Sequence, residues 1–149
     1  MYLKRTLLYA NVPTNCGKTY SILCLKSLAD ELNKGDSSTR RGYLFNPETA
    51  EGWQVERYMS HRVLFAWVDG NELKADIESL DTIYGQYLET HQREYVFRPY
   101  ATFFETDVLF VDLQEFYVTT AIPIKYDIFN SISVLWREFI SSKSKKILT

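Results

Sequence analysis

The stretch Val12-Pro13-Thr14-Asn15-Cys16-Gly17-Lys18-Thr19 decides the fold, because it falls one glycine short of a phosphate-binding loop. Such a loop reads G-x-x-x-x-G-K-[ST], and its first glycine lets successive backbone N–H groups curl around a phosphate. Here Val12 occupies that position, and Pro13 beside it has no N–H to give. A strand-like run before the stretch, a helical run after it, and Val108 to Asp112 (V-L-F-V-D), similar to a strand ending in a magnesium-holding aspartate, support a P-loop-like ATPase using Gly17-Lys18-Thr19. Against it stand the impaired cradle and the region that follows. Residues 62–122 read as hairpin-connected strands with little room for the crossover helices that a P-loop domain requires.

Working outward, residues 4–11 carry β-favouring residues that run into Pro13, so the chain opens with a short strand entering a loop. From Ser21 the period becomes helical. Ile22, Leu25, Leu28, Ala29 and Leu32 form one apolar face, with Ser21 placed as N-cap and Gly35 as the stop. Residues 36–41 and 46–52 are turn-rich. Strands follow at 62–68 and 72–80 around the Asp69-Gly70-Asn71 turn, and in the second of these Leu73, Ala75 and Ile77 alternate with Lys74, Asp76 and Glu78, the pattern of a half-buried hairpin strand. A short helix is expected over 83–91, with strands at 95–104, 107–113 and 116–122. The chain closes on a helical stripe of Ile128, Phe129, Ile132, Leu135, Trp136, Phe139 and Ile140, with Asp127 placed as its cap.

The expectation is therefore α+β: a mostly antiparallel β-barrel or sandwich, one helix in the N-terminal half, and one C-terminal amphipathic helix over about 127–141 followed by a tail at 142–149. The 149 residues suit a single domain. A hydrophobic fraction of 46% with 24% charged residues is globular in character, and a net charge of −2 provides no general attraction for nucleic acid, so neither nucleic acid nor membrane is expected as a partner. The first residues lack the charged start and long apolar run of a secretory signal. Eleven Tyr and nine Phe fill a core or meet a partner. Cys16 and Cys24 lie eight apart without C-x-x-C spacing, and with only His61 and His91 to join them no metal or cofactor is expected; both read as reduced, packed thiols. Ser60 beside His61 is not expected to form a dyad, because successive side chains on a strand point to opposite faces. Asp76 and Glu78 share a strand face and read as its solvated side.

Five short motifs occur in an order that resembles the tailed-phage prohead maturation proteases, whose barrel is shared with the herpesvirus assemblins. Cys16-Gly17-Lys18-Thr19-Tyr20-Ser21 is similar to the family's N-G-R-x-Y-P, and Gly42-Tyr43-Leu44-Phe45-Asn46-Pro47 to its G-E-L-x-H-P. Met59-Ser60-His61-Arg62-Val63, Trp67-Val68-Asp69-Gly70-Asn71 and Leu80-Asp81-Thr82-Ile83-Tyr84-Gly85 resemble V-S-H-x-I, W-x-D-G-N and L-D-T-x-x-G. The resemblance covers roughly residues 5–122. It implies that the base position is held by Asn46 and the nucleophile position by Phe97, neither able to do that chemistry, with His61 left over.

On that basis the resemblance implies a degenerate, catalytically dead member: a non-catalytic virion protein (capsid, decoration or head-assembly component), assembled in the host cytoplasm. It would bind phage capsid or other virion proteins, or its own copies, through candidates Ile132, Trp136 and Phe139. The alternative within the same family is an active maturation protease with a rearranged site.

Overall fold

The computed structural model describes residues 1–14, 18–36, 40–45, 58–106 and 110–127. The expected C-terminal helix, its tail, and Cys16, Gly17, Asn46, Ile132, Trp136 and Phe139 lie outside these residues.

Among the described residues, seven strands and two α-helices run in the order β1 (Tyr2–Tyr9), β2 (Thr19–Tyr20), α1 (Ile22–Lys34), β3 (Arg41–Leu44), β4 (Met59–Asp69), β5 (Glu72–Ser79), α2 (Ile83–His91), β6 (Tyr95–Glu105) and β7 (Phe110–Pro123). The α+β class is as expected, but the sheet is mixed. β1–β5, β4–β5, β3–β4 and β6–β7 are antiparallel, while β3 and β2 both lie parallel to β7. The strands form a curled half-barrel. The two runs read as separate strands near 107–113 and 116–122 are joined in the single strand β7, because β6 pairs with it across the polar Gln114-Glu115 step, absorbing the irregularity in register shifts. Pairing with a long partner here outweighs the local turn signal.

The N-terminal helix forms where the periodicity places it. Ser21 Oγ accepts from the Cys24 N–H at 3.0 Å, satisfying one of the orphan donors of the first turn, and Cys24, Leu25, Leu28, Ala29 and Leu32 are buried. That face packs into the main core with Leu7, Leu8, Val63, Ala66, Leu73, Ala75, Ile77, Phe97 and Ala121. The β4–β5 hairpin turns at Gly70, whose φ of +62° is open to glycine at no steric cost.

The stretch that opened the reading serves this sheet. Thr19-Tyr20 pairs with Phe110-Val111, and the Lys18 ammonium is ion-paired with the Glu105 carboxylate at the end of β6. Asp112, the candidate magnesium ligand of the ATPase reading, accepts from the Leu113 N–H at 2.7 Å within β7. Helix α1 makes one crossover, between the parallel strands β2 and β3, but the chain then continues through the β4–β5 and β6–β7 hairpins and lacks the repeated strand–helix alternation that a P-loop domain needs.

Candidate functional site

The structure gathers three polar side chains at the junction of β3, β4 and β7. His61 on β4 is fully buried, its Nδ1 2.8 Å from Ser60 Oγ and its Nε2 3.0 Å from Thr119 Oγ1 on β7. Ser60 and Thr119 are fully buried as well. In one tautomer the Ser60 hydroxyl donates to Nδ1 while the Nε2–H donates to Thr119 Oγ1; in the other the two hydroxyls exchange roles. Either way both ring nitrogens are satisfied, as burial demands.

This arrangement overturns the expectation that neighbours on a strand cannot meet. In the β3–β4 ladder Gly42 faces His61 whereas Tyr43 faces Met59, so Ser60 is an extra residue, a β-bulge. A bulge breaks strict alternation and lets consecutive side chains turn to the same side. The bulge is pinned from outside by the L-D-T-x-x-G segment: the Leu80 N–H donates to Ser60 O at 3.0 Å, and the Thr82 hydroxyl donates to Met59 O at 2.6 Å. Thr82 Oγ1 also caps α2 by accepting from the Gly85 N–H at 2.9 Å. Gly85 is needed because a Cβ there would sit 1.9 Å from Leu80 O.

Gly42, the first residue of the G-Y-L-F-N-P motif, has an equally specific role. A Cβ at Gly42 would lie 1.9 Å from His61 Nε2, so the absence of a side chain is what lets the imidazole settle on β3. On another side Phe97 meets the ring edge to face at 4.9 Å. The resemblance named Phe97 and His61 as the nucleophile position and the residual histidine, and the fold does bring the two together.

Burial holds the His61 pKa down to about 3, because the charged imidazolium would lose its hydration. The ring is therefore neutral across the physiological range. Neutral imidazole is the form a general base needs, but a ring held this low takes up a proton poorly while the cluster stays closed. Cys24, by contrast, is buried on α1 and its thiol is pushed up to about 12, first by desolvation and then by the nearby Asp112 carboxylate. It is a packing residue with no thiolate character. His91 stacks on Tyr87 at 4.0 Å, with Nδ1 near Tyr87 O and Thr90 Oγ1. Glu78 on the outward face of β5 pairs loosely with Arg62 at 3.4 Å. Among the described residues, no three His, Cys, Asp or Glu side chains are grouped to hold a metal ion.

Two arginines complete the surroundings. Arg98 on β6 is buried, and its guanidinium grips Asp127 in a bidentate pair, Nε to Oδ1 at 3.2 Å and Nη2 to Oδ2 at 2.9 Å. Asp127 is a buried counter-ion of Arg98; the helix it is expected to cap lies outside the described residues. Arg5 on β1 lies over the Phe97 ring at 5.5 Å. Sequence reasoning set Ser60 aside on strand alternation and passed over Thr119, Arg5 and Arg98. The visible signals were hydroxyls inside an otherwise apolar run, Val118-Thr119-Thr120-Ala121-Ile122, and a charged residue in the middle of a core strand at Arg98.

No protein-family model and no curated protein matches the chain. Among solved structures it is similar to the capsid assembly protease of bacteriophage T4, gp21, at 17% identity and a TM-score of 0.58, over 81% of this chain and 80% of that one. This corrects the expectation of a non-enzyme: the protein whose fold the chain shares is an enzyme, and hydroxyls lie within hydrogen-bond reach of His61 where the motif alignment offered only Asn46 and Phe97. The fold of this chain is similar to that of a capsid assembly protease.

Proposed function

We propose that the chain is a capsid-assembly protease of the tailed-phage type with a rearranged site, in which His61 is the base and Ser60 the nucleophile. Phage head proteins are its substrates and partners. The observation that carries this reading is the buried imidazole held between two hydroxyls, Ser60 and Thr119, inside a capsid-protease fold.

The roles follow from hydrogen-bond geometry. With the Nε2–H donating to Thr119, Nδ1 is left basic and directed at the Ser60 hydroxyl, and Thr119 fixes the tautomer as the orienting member of a triad does. Ser60 Oγ attacks the scissile carbonyl while its proton passes to His61 Nδ1. The same proton then goes to the leaving amine as the C–N bond breaks, leaving an ester on Ser60 that water hydrolyses. Ser60 is preferred over Thr119 because it stands on a bulge, whereas Thr119 lies between the β3 and β6 ladders and faces Gly42 and Pro99.

The test is incubation of the purified chain with head proteins of its own phage. Specific cleavage is expected, abolished by His61→Ala and Ser60→Ala and reduced about 10- to 100-fold by Thr119→Val. Absence of cleavage, or cleavage that survives His61→Ala, would sink the assignment.

A further inference from the structure

The Ser60–His61–Thr119 cluster is closed in the folded chain, so chemistry there requires a way in. Three sides of the imidazole are fixed. Its nitrogens are held by Ser60 and Thr119, and it rests on the backbone of Gly42, within the β3–β4 and β3–β7 ladders. Among the described residues a further side is covered by a side chain, Phe97, which touches His61 at 4.9 Å and lies under the Arg5 guanidinium at 5.5 Å.

Phe97 sits on a strand with an unusual junction. β6 pairs with β7 on one edge and meets β1 on the other, and among the described residues no backbone ladder joins β1 to β6. Arginines bridge the gap from both directions. Arg98 Nη1 reaches across to Thr6 O and Leu7 O, each at 3.3 Å, while Arg5 Nη1 donates to Tyr95 O at 3.3 Å and Nη2 to Gln92 O at 3.2 Å and Gln92 Oε1 at 2.9 Å. The β1 register also slips between Thr6 and Leu8, so Leu7 is bulged where Arg98 takes hold of it. Every other strand neighbour in the half-barrel is held by main-chain hydrogen bonds, which open only if the strands themselves separate. This junction opens by rotation of side chains.

We infer that the β1/β6 seam is the gate of the Ser60–His61–Thr119 cluster: Arg5 is its latch, Arg98 its hinge anchored on Asp127, and Phe97 the inner leaf that lifts off His61 when the latch releases. The inference rests on the proposed role of the cluster, but the gate can be measured without any cleavage. Arg5 is the half-buried member of the pair, so it is the one that solvent or an arriving chain can draw away from β6. Arg98, held by a buried carboxylate, stays.

The experiment is modification of His61 by diethyl pyrocarbonate, which acylates neutral imidazole, read by peptide mass mapping on the whole chain with His91 as internal reference. In the wild type, His61 labelling is expected to depend only weakly on sub-denaturing urea, as local opening does, and Arg5→Gln should raise its rate at least tenfold relative to His91. Phe97→Ala should raise it further. Labelling that follows global unfolding in its urea dependence, or that is unchanged in folded Arg5→Gln and Phe97→Ala chains, would overturn the gate while leaving the assignment of Ser60 and His61 to be judged by cleavage.

Discussion

The two halves of the sheet are built by different rules. In the β1–β5–β4 half, Leu73, Ala75 and Ile77 point inward, fully buried, while Lys74, Asp76 and Glu78 face outward; Lys74 closes on Asp69 at 2.9 Å and its ammonium is held above its usual pKa by that carboxylate. Where the first residues of β4 meet β3, β7 and β6, alternation breaks at Ser60, the interior holds His61, Ser60, Thr119 and Thr120, and an ion pair is buried at Arg98–Asp127. The first half is held by apolar burial and tolerates change on its outer face. The second holds polar groups that must all stay satisfied, and such groups are costly to disturb.

The comparison can be broken at its strongest point first. Arg98→Leu leaves the buried Asp127 carboxylate without its bidentate partner and is expected to cost about 3–5 kcal/mol in urea unfolding. A cost below 1 kcal/mol would mean that this half does not depend on its polar interior. Gly42→Ala should cost about 1–3 kcal/mol, since a methyl group on β3 must push the imidazole off its seat and weaken the Thr119 bond. A chain of unchanged stability with an unchanged His61 NMR signature would remove Gly42 from the site.

Acid provides the third test. The folded-state pKa of His61 is about 3 against 6.5 for an imidazole in water, so the unfolded chain binds the extra proton between these limits. This group's stabilisation is fully present above its unfolded pKa and declines as pH falls, by about 2 kcal/mol between pH 7 and pH 5. His61→Gln should flatten that part of the stability–pH curve; an identical slope in the variant would contradict the buried neutral ring. The smallest effect belongs to the other half: Asp76→Asn, on the outer face of β5, should change stability by no more than about 0.5 kcal/mol.

The same contrast explains what could be read beforehand. The β4–β5 hairpin, α1 and α2 were legible because their signals are local: alternation, a 3.6 period, Ser21 as a cap, Gly70 in the turn. The mixed pairing of β7 was not, because Gly42–Thr119 and Thr19–Phe110 are contacts between distant residues that no local period encodes. The site was half legible. His61, Gly42 and Phe97 each stood in a recognised motif, but the Ser60 bulge depends on how β3 aligns with β4, and one residue of slip decides which face a side chain takes. Asn46 lies outside the described residues, so its position relative to His61 forms no part of the site described.

The most direct test of the central claim is labelling of the Ser60 hydroxyl, the proposed nucleophile. Treatment of the native chain with a serine-directed fluorophosphonate, followed by peptide mapping, should place the adduct on Ser60, and His61→Ala should abolish it while the variant remains folded by circular dichroism. No adduct on Ser60, or an adduct that forms equally well without His61, would contradict the assignment of this cluster as the reacting groups of a capsid-protease fold.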